Sequence, residues 1–360
     1  MNEQVKYSED GKRLISIPEN YEGKFVVPEG VTHISYQAFG NCRGVTSIQL
    51  PNSVTGIDDF AFSECRKLVS IHLPDSIVSI GTSAFEGCVN LQSVQLPKDL
   101  RIISESLFEG CSELSSVVLP EGLIEIQKSA FSETAKLTSL ILPNTLRAIG
   151  RDAFSESGLR SIEIPEGIIK IEKNSFAYSH KLECVSLPNS LIEIDDSAFN
   201  SCESLNDPLL PPSLKRIGPD AFSQCDAIKN LDLPSSIEHL SRDAFSSCTF
   251  LESVKLPEAL TILHKGIFDS CISLKHIEFP DSLVHIEEHA FRDCTALKEV
   301  VLPNSLSVIG DSAFYGCKNL STLIVPERVT SVGRTAFRKC SLDEEVKKEL
   351  TSRFGEMVFD

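Results

Sequence analysis

The sequence predicts an α/β-type repeat solenoid, mostly strand and loop with few helices, built by stacking copies of one unit. Three observations predict it. A 23-residue period runs through most of the chain, one phenylalanine recurs at a fixed place in every copy, and each copy ends in an alternating apolar pattern stopped by proline. A single unit with so few apolar positions cannot form a core alone, whereas stacked copies place like residues on like residues and bury a continuous column.

Composition limits what the coil can do. The 360 residues are 41% apolar and carry a formal charge of -17, with 51 Asp and Glu against 34 Lys and Arg. That balance argues for a structured protein and against electrostatic binding of nucleic acid, which requires a basic surface. The expected partner is neutral or basic. No apolar run approaches the roughly 18 residues of a membrane helix, so no membrane insertion is expected. The opening MNEQVKYSED has no apolar stretch of the secretory type. The chain is therefore expected to stay inside the cell, or to have had its signal trimmed.

Residues 1–27 are expected to form a β-hairpin cap, with a turn at Asp10-Gly11 and an incomplete echo of the repeat in Leu14, Ile17 and Pro18. Residues 28–340 form the coil of about fourteen turns. Its units start at Pro28, Pro51, Pro74 and so on to Pro326, all of 23 residues except the one from Pro143, which has 22, and the last, which is cut short. Six residues after each proline stands an aliphatic side chain, from Ile34 to Val332, and eleven after it a phenylalanine, from Phe39 to Phe337. Segments such as LVSIHLP at the end of each unit read as short strands. Successive turns run the same way, so these strands are expected to pair in parallel, one per turn. Residues 341–360 are expected to form a helical cap over the last turn, opening with a capping box from Ser341 to Glu344 and carrying Leu342, Val346, Leu350 and Phe354 on one face.

The unit LPNSLSVIGDSAFYGCKNLSTLIVP, from Leu302 to Pro326, resembles the BspA-like, or Treponema-type, leucine-rich repeat, and the resemblance covers about residues 25–340. It implies a right-handed leucine-rich-repeat coil with a parallel β-sheet. It also implies a non-catalytic protein displayed at the cell surface or secreted by host-associated bacteria or some protists, adhering to a host or matrix protein. An intracellular scaffold of the same architecture is the alternative. The pattern weakens in the middle, where Thr134, Ser157 and Ser179 replace the repeat cysteine and Pro208 interrupts the strand pattern, so a local irregularity is expected there.

Eleven of the twelve cysteines stand three residues after the repeat phenylalanine. Thiols stacked on adjacent turns have parallel Cβ vectors about 4.8 Å apart, too far for the roughly 3.5 to 4.5 Å of a disulfide. A buried ladder of reduced thiols is expected. Cys184 alone lies in a strand, at a position held by serine in units such as those of Ser47 and Ser70, and should be exposed.

No cofactor, metal or catalytic residue is expected. His285 and His289 match the HxxEH pattern of one zinc peptidase class, but those ligands need a helix, and Ile286 between them is the buried aliphatic of an extended or looped segment. Gly81, Gly150, Gly218, Gly310 and Gly333 directly follow the core aliphatic and read as a turn slot.

What remains for function is the outward side of the strands. Two residues before each proline the side chain varies from copy to copy while its neighbours hardly change. Gln49, His72, Gln95, Val118, Ile141, Glu163, Val301 and Ile324 are the candidate binding residues. Val118 with Ile141, and Val301 with Ile324, are expected to form exposed apolar pairs on the sheet, as interaction sites do.

Overall fold

A computed structural model describes residues 4–360. The chain forms two compact units, Met1–Pro188 and Asn189–Asp360. Each is a parallel β-solenoid, and together they contain about fourteen turns.

The repeat phenylalanines supply the core. In the first unit Phe39, Phe62, Phe85, Phe108, Phe131, Phe154 and Phe176 lie one above the next with ring centroids 5.1 to 5.7 Å apart. In the second, Phe199 to Phe337 repeat the stack at 5.1 to 6.1 Å. All are buried. Truncating a buried aromatic to alanine typically costs about 3 to 5 kcal/mol, so this column dominates the stability of both coils.

Each regular turn contributes two strands where the sequence predicts one. The expected strand, such as Ser70–His72 or Ser93–Gln95, alternates exposed, buried, exposed. A second, two-residue strand ends on the core aliphatic six residues after the proline, as in Gly56–Ile57, Ser79–Ile80 and Val308–Ile309. These pair in register, Ile57 beside Ile80 and Ile286 beside Ile309. They are too short for a sequence period to reveal, and pairing with the turns on either side is what makes them strands.

The loops between them are also regular. Two positions per turn, two before and two after the phenylalanine, have left-handed backbone, for example Ser83 with φ 53° and Glu64 with φ 61°. This turns N–H groups along the coil, so that Glu64 N donates to Glu86 O at 2.7 Å and Phe62 N to Ala84 O at 2.8 Å. The glycine slot has a different cause from the one its sequence suggests. Gly150, Gly218 and Gly310 have no positive φ, and a Cβ there would come within 2.7 Å of backbone atoms of the preceding turn. The slot is a close approach between turns, not a turn residue's freedom.

At the front, Lys6–Tyr7 pairs antiparallel with Arg13–Ser16, which in turn pairs in parallel with His33–Ile34. The strand Glu22–Val26 joins the sheet face beside Gly44–Gln49, and Phe25 meets Phe39 edge-on at 5.2 Å. At the back, the helix Glu344–Phe354 buries Leu350, with Leu342 buried just before it. The expected capping box is absent. The N-cap is Asp343 without a side-chain cap bond, and the Ser341 hydroxyl instead donates to Lys318 O, one turn back, at 2.6 Å, which takes that side chain away from the helix. Arg353 ties the helix down by donating to Val325 O and Pro326 O at 3.0 and 2.8 Å.

Candidate functional site

The sheet face is a set of separate ladders. In the first unit the strands Glu22–Val26, Gly44–Gln49, Ser70–His72, Ser93–Gln95 and Ser116–Val118 form one sheet, and Ser161–Glu163 with Cys184–Ser186 another. In the second, Asn230–Asp232, Ser253–Lys255 and His276–Glu278 form a third, and Glu299–Val301 with Thr322–Ile324 a fourth.

Every candidate binding residue is exposed. Gln49 stands beside His72, and Gln95 beside Val118. Glu163 stands beside Ser186. Val301 and Ile324 stand directly opposite each other, 53% and 54% exposed, and form the apolar pair the sequence predicts. The other pair does not form as expected. Ser116–Val118 is the last strand of its sheet and residues 139–141 are in no strand, so Val118 and Ile141 share no ladder. Without a paired strand around it, Ile141 projects 88% exposed beside a cleft of about 410 Å3 that Glu163 also lines.

Two features of this face were not singled out from the sequence. Leu209, in the same repeat position, is also 88% exposed, and its position two before Pro211 was the available signal. The second feature is a larger cleft, of about 960 Å3, between His276–Glu278 and Glu299–Val301. Its signal is Phe279, an aromatic in a slot otherwise aliphatic.

The thiols are structural in placement. Ten of the repeat cysteines are buried and Cys340 is half-buried, all free, while Cys184 is exposed on its strand. Cys88 donates to Phe62 O and Cys225 to Phe199 O, each at 3.2 Å. Burial pushes the Cys42 thiol up to about 12, with a further contribution from Glu19, and Cys248 likewise up to about 12. A thiol held protonated in this way is neither a nucleophile nor a metal ligand. Where cysteine is missing, hydroxyls take its place. Thr134 donates to Phe131 O at 2.7 Å, and Ser157 and Ser179 bond each other at 3.0 Å.

His285 lies in the two-residue strand His285–Ile286 and His289 has left-handed backbone, φ 59°, so no helix aligns them. His289 instead faces Glu288 at 3.5 Å. Among the described residues no group of three or more His, Cys, Asp or Glu is placed to hold a metal ion, and no helix is long and apolar enough to cross a membrane.

The model of the BspA type leucine-rich repeat region matches residues 32–155, 124–252 and 241–360. Among solved structures, a leucine-rich repeat protein from Bacteroides ovatus is similar at 27% identity, covering 94% of this chain and 92% of that one with a TM-score of 0.72. A leucine-rich repeat protein from Eubacterium ventriosum is 19% identical, covering 89% and 83%, with a TM-score of 0.50. A leucine rich cell surface protein from Faecalibacterium prausnitzii is 23% identical, covering 78% and 92%, with a TM-score of 0.47. No curated protein matches the chain.

Proposed function

The chain belongs to the BspA-type leucine-rich repeat family, and from that premise we propose that it is a non-catalytic module binding a protein partner through the outward side of its sheets. One observation carries the reading: Val301 and Ile324, more than half exposed, face each other in register on a preformed sheet. Exposed contiguous apolar side chains mark interaction surfaces, and a few apolar anchors usually dominate such affinity. Rigid parallel pairing orders the surface before binding, which reduces the entropy lost on association. Ile141 and Leu209 are further anchors, and the excess of acidic residues favours a neutral or basic partner.

We place the protein at the cell surface or outside the cell, adhering to a host or matrix protein, as the family resemblance implies. The twelve free thiols favour the second reading, an intracellular scaffold, because reduced cysteine suits a reducing compartment. Labelling intact cells with an impermeant reagent separates the two: a labelled protein supports the surface, an unlabelled one the interior. Binding to a panel of purified matrix proteins, with Ile141→Asp and Ile324→Asp as controls, tests the face itself. Both variants are expected to fold normally by circular dichroism and to bind about tenfold or more weakly, as loss of an anchor does. Undiminished binding by both variants would refute the sheet face, and unfolding of Ile141→Asp would show that residue to be core.

A further inference from the structure

The first unit's sheet face is set apart by its lack of charge. The strands Gly44–Gln49, Ser70–His72, Ser93–Gln95 and Ser116–Val118 lie side by side in one sheet and present their outward side chains in columns. Ser47, Ser70, Ser93 and Ser116 form one column, and Gln49, His72, Gln95 and Val118 the next. Thr46, Val69, Gln92 and Ser115 stand just before the serines. All are exposed except half-buried Ser47, and none is a carboxylate, ammonium or guanidinium. Because 24% of the chain is charged and charged side chains favour the surface, chance alone would put several charges there. They stand instead around the border. Glu22 and Lys24 lie on the strand in front, Lys67 and Glu113 precede the columns, and Asp75 and Lys98 follow them.

The same positions in the second unit hold one another. Ser253 Oγ donates to Asn230 Oδ1 at 2.8 Å, Asn230 Nδ2 to Asp207 Oδ2 at 3.1 Å, and Lys275 pairs with Glu252 at 2.7 Å. On the first unit's face, the side chains of Ser70, Ser93, Ser116, Gln49, His72 and Gln95 have no such bond among the described residues. Their donors and acceptors are left to solvent. A paired sheet therefore offers an uncharged hydrogen-bonding array that repeats at every turn.

We propose that this array is a second binding site and that its ligand is a neutral polysaccharide lying along the columns. A sugar hydroxyl both donates and accepts, as the serine hydroxyl and the glutamine amide do, so each contact finds its complement with no charge to desolvate. Val69 and Val118, both exposed, give the apolar faces of the sugar rings something to cover. Other ligand classes find little to hold them here. A protein partner is anchored by aromatic or arginine side chains, and nucleic acid or an anionic lipid surface by cations. A polymer also repeats as the array does, across about 14 Å from the first of these strands to the fourth. The site belongs to the first unit, whereas Val301 and Ile324, which carry the protein-binding reading, belong to the second.

The test applies the full chain to an array of neutral and sulfated oligosaccharides of graded length, and the best neutral oligosaccharide then serves as the soluble probe. Neutral chains are expected to bind, with affinity rising about two- to tenfold for each hydrogen bond gained until the columns are spanned. Ser93→Asp and Gln95→Glu each put a charge into the array at an exposed position. Both are expected to fold normally by circular dichroism and to weaken the probe about tenfold or more, while Lys255→Gln on the second unit's face leaves it unchanged. Absence of any neutral ligand, preference for the sulfated chains, or a probe indifferent to both charged variants would each overturn the site. Binding of the protein partner is measured beside it. A loss in Gln95→Glu as large as in Ile324→Asp would give the face to that partner and overturn the polysaccharide, whereas a loss in Ile324→Asp alone supports two distinct sites.

Discussion

The thiol of Cys65 donates to the carbonyl oxygen of Phe39, 26 residues earlier, at 3.2 Å. Within each coil the same bond recurs from one turn to the turn before it, as from Cys271 to Phe245 and from Cys317 to Phe291, both at 3.2 Å. Each cysteine fills a small apolar space and also serves as a weak donor to a carbonyl that would otherwise have one partner fewer. Cys271→Ala is expected to lower stability by about 1 to 2 kcal/mol through the lost bond and the small cavity. Cys271→Ser should cost less, because a hydroxyl can donate as Ser179 does to Phe154 O at 2.9 Å. Urea denaturation of the two variants checks the order, and a serine variant less stable than the alanine one would contradict it.

The buried thiols make stability fall in alkali. Burial raises the folded-state values of Cys42 and Cys248 to about 12, from 9.0, and raises Cys88, Cys225 and Cys271 in the same direction. The folded chain therefore holds these protons more tightly than the unfolded chain. Their stabilisation is complete below the unfolded value and is lost as pH rises from there through the folded one. Each contributes a slope of about 1.4 kcal/mol per pH unit in that window. Denaturation midpoints under reducing conditions should hold steady to about pH 8 and drop steeply above about pH 9. A flat profile across that range would mean the thiols are not buried.

Thiol labelling of the native protein should modify Cys184 rapidly and half-buried Cys340 more slowly, with the remaining ten reacting only after unfolding. Mass spectrometry of the labelled peptides reads this directly. Rapid labelling of Cys88 or Cys225 would place the ladder at the surface.

The C-terminal tail completes the last turn. Thr335 N donates to Met357 O at 2.8 Å and Phe337 N to Val358 O at 2.9 Å, as Ser312 N and Phe314 N donate to Arg334 O and Ala336 O of the turn after them. Val358 is fully buried and Phe359 lies 6.5 Å from Phe337, so the tail stands where a further turn's Ala-Phe would be. Ending the chain after Gly355 should expose both amides to exchange and destabilise the second unit by roughly 2 to 4 kcal/mol. Unchanged exchange at Phe337 would show that the tail is dispensable.

Regularity made most of the core legible. Phenylalanine and the aliphatic six residues after each proline recur in every copy, and cysteine in all but three, and the structure buries nearly all of them as stacks. Local motifs were less reliable. Ser341 and Glu344 have the spacing of a capping box, yet the hydroxyl is used by Lys318 O, a partner 23 residues away that no local pattern announces. The glycines after the core aliphatic read as turn residues because composition cannot distinguish a free φ from a close backbone approach. On the binding face, exposure of the candidate residues followed from alternation, but which of them are neighbours did not.

The sequence by itself determined that the chain coils, what each turn buries and which side chains point outward, because these depend on a period and on which residues avoid water. Only the tertiary structure decided where neighbouring strands stay paired and where they part, at Ile141 and beside Phe279, and what closes the coil's far end. Pairing between turns is a balance between backbone hydrogen bonds and the volumes packed beneath them, and that balance is set by residues a full turn apart.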